Sequence, residues 1–163
     1  MSMIGYFLAL TGEKVDELLG DPAGVSAFLA SAIEDQDDLG ADFLDVDKSW
    51  HGIHFLLTGS VRDGEPPLTW AVFAPTQLGE DLGYGPARLL LPDQVVEVSK
   101  ALAPITGDKL KKKCDWTLMN DSEIYPQGWR AGDQDYIAEN FTQLRKFYDS
   151  AARRHMAVVH WLG

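Results

Sequence analysis

Two histidines three residues apart, His51 and His54, lie in the stretch "LDVDKSWHGIHFLLTG" (44–59), behind Asp45 and Asp47 and next to Trp50. Imidazole has an ordinary pKa of about 6.5, which suits proton transfer near neutrality, and it is also the commonest metal ligand. A zinc-binding helix of the metalloprotease type sets its two histidines four apart with a glutamate between them. Here the spacing is three and Gly52-Ile53 intervene. Asp47 and His51 stand four apart and would make a carboxylate–imidazole half-site. No further ligand is legible, so no metal site is predicted. Trp50, Ile53, His54 and Leu57 fall at i, i+3, i+4 and i+7 and share one helix face. That periodicity assigns His54 to a buried stripe and His51 to its margin. As a general acid or base His54 would need a cleft and a partner, supplied by Tyr84, Tyr125 or an acid of 34–47.

The remaining reactive groups are sparse. No GxSxG elbow occurs. Cys114 is the single cysteine and follows three lysines, which would lower its pKa; the plainer reading is a helix-terminal cysteine that packs. The stretch "QLGEDLGYGPA" (77–87) is glycine-rich but has neither GxGxxG nor GxxxxGK[ST] spacing, so it is read as an irregular turn rather than a phosphate cradle. Aromatic residues stand in glycine- and proline-rich loops, namely Tyr84, Tyr125 and, four residues on, Trp129. Loop aromatics supply recognition area at small entropic cost, and they also plug loops onto small cores. No cofactor motif is present, and no cofactor is expected.

Composition narrows the function classes. The 163 residues suit one domain, and 45% apolar with 24% charged residues is a globular composition. A single cysteine excludes an internal disulfide and a multi-thiolate zinc site. The N-terminal "MSMIGYFLAL" lacks a basic n-region and a cleavage site, and no apolar run approaches the roughly 18 residues a membrane span needs. A cytoplasmic protein without membrane attachment is expected. The net charge is −11, which argues against nucleic acid as a partner. Seven of the acids fall between Glu34 and Asp47, either a solvated loop or a docking site for a basic protein partner.

The elements follow from periodicity and capping. Residues 3–10 are a β-prone apolar run, ended by Thr11-Gly12. A short helix is predicted over 13–19, and Asp21-Pro22 starts an amphipathic helix over 22–34. Residues 34–42 are its exit loop. Asp45 or Asp47 caps a helix over about 46–57, closed by Gly59. The stretch 60–67 is a loop and 68–74 a short helix. A strand is predicted over 88–91 and a helix over 92–102. Thr106 caps a helix over 107–114 that can run on into "WTLMN". Pro126 breaks regular structure through 121–129. Ile137, Phe141, Leu144, Tyr148 and Ala151 carry a long helix from Asp133 or Asp135 to about His155. "MAVVHWL" (156–162) alternates as a final strand that pairs with the first. The expected fold is α+β, a helix-rich single domain over 1–163 whose small sheet includes the N-terminal and C-terminal strands.

Several stretches in a fixed order carry a resemblance: "MIGYFLAL" (3–10), "LDVDKSWHGIHFLLTG" (44–59), "GYGPARLLLPDQVVEVSKAL" (83–102), "EIYPQGW" (123–129) and "NFTQLRKFYDSAARRHMAVV" (140–159). Together they span nearly the whole chain, which resembles the YfbM-like family, a bacterial domain of unknown function. The resemblance implies a small cytosolic α+β domain and brings no triad, cofactor or substrate. Positions typical of the family fall on Trp50, His54, Phe55, Thr58, Gly59, Tyr84, Gly85, Pro86, Tyr125, Pro126 and Trp129.

Two functional readings stand. The favoured one, from the lack of a catalytic constellation, is a non-enzymatic interaction module, adaptor- or immunity-like, that meets a basic protein through its acidic surface or aromatic loops. The alternative is a small-molecule enzyme or ligand binder with a cleft near His54, Tyr84 and Tyr125. The candidate binding residues are Trp50, His54, Tyr84, Tyr125 and Trp129.

Overall fold

The N-terminal apolar run forms strand β1 (Gly5–Leu10), and the final alternating run forms β5 (Ala157–Leu162). They pair antiparallel over their full length, from Gly5 opposite Leu162 to Leu10 opposite Ala157. Ile4 and Gly163 extend the ladder by exchanging backbone hydrogen bonds of 2.8 and 3.0 Å. The computed structural model describes residues 2–163 and places these strands at the centre of one five-stranded sheet. Its order is β2-β1-β5-β4-β3, with β2 (Phe43–Asp45), β3 (Thr76–Asp81) and β4 (Pro86–Leu90), every neighbouring pair being antiparallel. The fold is α+β and helix-rich, with both terminal strands in the sheet, as expected from the sequence.

Period-2 alternation sends successive side chains to opposite faces of the sheet. Leu8, Leu10, Leu78, Ala87, Leu89, Val159 and Trp161 form one apolar cluster with α1 (Gly12–Leu19) and α2 (Val25–Glu34). Phe7, Ala9, Leu90 and Val158 belong to a second cluster on the other face. That cluster takes in α4 (Trp50–Thr58), α5 (Pro92–Leu102) and the long α8 (Asp133–Arg153). The sheet is therefore the middle of three layers. At its heart Tyr148 of α8 is fully buried and donates its hydroxyl to the Ala71 carbonyl at 2.9 Å.

Local signals explain most boundaries. The Thr11 hydroxyl accepts from the Lys14 N–H and starts α1; Gly59, at φ 73°, closes α4. Four expectations are corrected. Residues 77–87 are a hairpin, not an irregular loop. Gly79 (φ 75°) lies where an added Cβ would come within 2.7 Å of the Val25 Cβ, so the glycine admits α2 against a bulged strand. The α4 helix begins only at Trp50, after strand β2 and a 3₁₀ turn (Asp47–Ser49), so neither Asp45 nor Asp47 caps it. Asp21 makes no side-chain cap bond, and the chain enters α2 through a 3₁₀ turn (Pro22–Gly24). The segment after Thr106 splits into α6 (Gly107–Lys111) and α7 (Trp116–Asp121), because Asp115 accepts from the Leu118 N–H and opens a new helix. Part of the acidic stretch is ordered as a one-turn helix α3 (Gln36–Leu39). Among the described residues no helix is long and apolar enough to cross a membrane.

Candidate functional site

A cavity of about 670 Å³ lies where β4 and β5 meet the first turn of α4, within the size range of small-molecule sites. Its walls come from the chain before β1, the β3–β4 turn, the 60–67 loop and the 123–127 turn. Trp50 is a buried part of its lining. It donates its indole N–H to the Met3 carbonyl at 3.0 Å and stacks on Tyr125, with centroids 5.7 Å apart at 24°. Gly5 makes room for it, because a Cβ there would come within 2.9 Å of the Trp50 Cβ. The Tyr125 hydroxyl in turn accepts from the Met3 N–H at 2.9 Å. These contacts tie the 123–127 turn to the start of the chain; Trp50 itself is 5% exposed and also stacks on His51 at 4.9 Å, so the half-buried Tyr84 and Tyr125 supply the more open aromatic lining.

His51 is only 6% exposed and lies under the loops rather than at a helix margin. Its Nδ1 accepts from the Tyr125 N–H at 2.9 Å, so Nε2 carries the ring hydrogen and donates it to the Val61 carbonyl at 2.8 Å. Both nitrogens are occupied, and burial lowers the pKa against the pull of the Val61 carbonyl. His51 is a pin between two loops.

His54 is fully buried and does not line the cavity. The Thr58 hydroxyl donates to the His54 carbonyl at 2.9 Å and lies 3.4 Å from Nε2. Nδ1 has no hydrogen-bond partner among the described residues. Burial, opposed by the Asp63 carbonyl, holds its pKa down at about 4. The ring meets Phe73 edge-on at 4.6 Å, a packing contact. A group so enclosed has no route to a substrate proton.

Of the other residues singled out in the sequence, Tyr84 and Tyr125 line the cavity with Trp50, and Trp129 does not. Tyr84 is carried on the β3–β4 turn, where the Asp81 carboxylate accepts from the Gly83 N–H at 2.6 Å. Trp129 is buried, donates its indole N–H to the Ile124 carbonyl at 2.9 Å, and has its backbone bracketed by the Asn120 amide, which donates to the Trp129 carbonyl and accepts from its N–H. It fastens the 124–129 segment to the core. Cys114 is half-buried with its thiol pushed up by burial, so the neighbouring lysines do not activate it. The Asp47–His51 half-site does not assemble: the Tyr136 hydroxyl donates to Asp47 at 2.8 Å, and burial raises the Tyr136 pKa. Among the described residues no three histidine, cysteine or acidic side chains gather as a metal-binding group.

The cavity also holds residues that helix periodicity and loop composition did not reveal: Arg62, Arg88 and His160. Neither arginine is paired with a carboxylate among the described residues. Glu123, the one acid of the lining, is exposed at the rim. The signal for Arg88 and His160 was strand alternation. Each occupies the same-face position beside an apolar residue, Leu90 and Val158 respectively, inside a short strand.

A family model, "Domain of unknown function (DUF1877)", matches residues 1–161. Protein YfbM of Escherichia coli (strain K12) is 33% identical over 129 residues, covering 77% of this chain and 74% of the relative. The crystal structure of that protein, described as one of unknown function, superposes with a TM-score of 0.76 at 25% identity, covering 99% of this chain and 100% of the other. The chain belongs to the DUF1877 family and has the fold of YfbM.

Proposed function

We propose that the cavity binds a small planar organic anion and that the protein acts as a ligand-binding domain rather than a catalyst. The observation that carries this reading is the pairing of aromatic walls (Trp50, Tyr84, Tyr125) with two carboxylate-free arginines in a chain of net charge −11. The planar guanidinium fork matches a carboxylate or phosphate with two parallel hydrogen bonds. Aromatic faces and a few convergent polar groups are the usual make-up of such a site. Catalysis has less support: His51 has both nitrogens occupied and His54 is sealed in the core. Saturation-transfer NMR with benzoate and with benzylamine, a cation of like size, tests the reading. Benzoate is expected to bind, benzylamine not, and Arg88→Glu to abolish benzoate binding. Equal signals for both compounds, or binding indifferent to Arg88→Glu, would overturn it.

A second reading, docking of a basic protein, draws on the acidic segment. Asp42 pairs with Arg154 at 2.6 Å, Asp45 accepts from the Asp47 N–H, and Asp47 from Tyr136, so these three serve the fold. Glu34, Asp35, Asp37 and Asp38 are exposed at the end of α2 and on α3. They supply the negative face an adaptor or inhibitor would present in the cytoplasm, a setting in keeping with the free Cys114. Its signature is a partner whose on-rate falls steeply with salt and with neutralisation of those four acids. An on-rate untouched by both changes would remove this reading.

A further inference from the structure

His160 is 96% withdrawn from solvent (4% exposed), yet it lines the cavity. It stands on β5 directly opposite Phe7 on one side and Arg88 on the other. Cross-strand partners lie about 5 Å apart and project to the same face, so imidazole and guanidinium leave the sheet side by side. The ring stacks on Phe7, with centroids 4.3 Å apart at 21°. Its Nδ1 lies 2.9 Å from the Tyr6 carbonyl, which can only accept, so Nδ1 carries the hydrogen. Nε2 is then a bare acceptor, since among the described residues the ring's one hydrogen bond is the one at Nδ1. Burial, reinforced by the Arg88 charge and opposed by the Tyr6 carbonyl, keeps the ring neutral near neutrality. The cavity floor thus offers an acceptor that cannot donate beside a cation that cannot accept.

A ligand that satisfies both groups must bring an anion and, on the same body, a hydrogen-bond donor. Resting on the anion-binding reading above, we infer that the cavity takes an aromatic acid carrying a hydroxyl or N–H donor set apart from its carboxylate. The carboxylate meets Arg88, the ring lies against the half-buried Tyr84 and Tyr125, and the donor reaches His160 Nε2. Burying an acceptor against a ligand that lacks a donor forfeits a hydrogen bond, which is the basis of strong discrimination between such analogues.

The test compares dissociation constants of 3-hydroxybenzoate, benzoate and 3-methoxybenzoate, the last filling the same space without a donor. The hydroxy acid is expected to bind about ten-fold tighter than either analogue. His160→Asn removes Nε2 while its amide nitrogen takes the place of Nδ1 and can keep the bond to the Tyr6 carbonyl. In that variant benzoate affinity is expected to hold and the ten-fold preference to fall to about one. In case the variant does not fold, the Nε2 nitrogen resonance of the unaltered protein is followed directly: it moves with 3-hydroxybenzoate and not with benzoate. Benzoate binding as well as the hydroxy acid, a preference that survives His160→Asn, or an unmoved Nε2 signal would overturn the inference and leave the anion-binding reading standing. Failure of all three compounds to bind would remove both.

Discussion

Leu89 and Arg88 are neighbours on β4, yet they belong to different regions of the molecule. Leu89 is 1% exposed and packs with Val159, Leu8 and the inner faces of α1 and α2 in a cluster built of apolar side chains. Arg88 projects to the other face, where it lines the cavity with His160 beside it. The apolar face needs only volume and pattern. The cavity face carries buried histidines, arginines without a carboxylate partner among the described residues, and loops pinned by side-chain hydrogen bonds from His51 and Asn120. Both faces carry apolar core, the larger cluster lying on the cavity side with α4, α5 and α8, and only that side also carries a polar lining that can select a ligand.

Acid should separate the two regions most. His54 and His160 both have folded pKa values of about 4 against an ordinary 6.5, and both lie on the cavity side of the sheet. A histidine with a depressed folded pKa is neutral when folded and takes up a proton when unfolded. Above pH 6.5 its titration costs nothing, and as pH falls from 6.5 towards 4 protonation of the unfolded state lowers stability, by roughly 3 kcal/mol for each ring. Denaturant midpoints measured from pH 7.5 to 4 should fall accordingly. Replacing either ring with an apolar side chain should flatten the slope.

Next in size is the contrast on β4 itself. Leu89→Ala should cost about 3 kcal/mol, the usual loss for a closed leucine site, whereas Arg88→Gln should stay within about 0.5 kcal/mol. Equal losses in urea melts would dissolve the distinction. His51→Ala should cost about 2 kcal/mol, because it strands the Val61 carbonyl and the Tyr125 N–H. Its effect should appear as faster hydrogen exchange at 60–67 and 123–127. His54→Leu, three residues away, should be near neutral or stabilising, since it removes a buried nitrogen that has no partner.

That pair of histidines shows how far sequence reasoning reaches. Helical spacing placed His54 in the core correctly, because period alone decides which side of a helix faces inward. It put His51 at a margin, and the margin is buried, because the 60–67 loop and the 123–127 turn fold over it. Coverage by distant segments has no local signature. The first strand was legible from a continuous apolar run, the last from alternation and the long helix from a five-member stripe, and the cap residues Thr11 and Thr106 act as their types suggest. The β3–β4 hairpin was missed because Gly79, Gly83 and Gly85 imitate loop composition, while in the structure they serve a bulge and a tight turn. With that hairpin went the register that sets Arg88 opposite His160. The cavity was therefore legible through its loop aromatics, Tyr84 and Tyr125, and not through its polar floor.

The most direct test of the cavity as an anion site is a nitrogen–proton correlation spectrum of the labelled protein during titration with benzoate. Saturable shifts are expected at the Trp50 indole and at the amides of Tyr84, Arg88 and Tyr125, all with one dissociation constant, and none at 34–42. Shifts confined to the acidic segment, or no saturable shifts around the cavity, would contradict an anion site there.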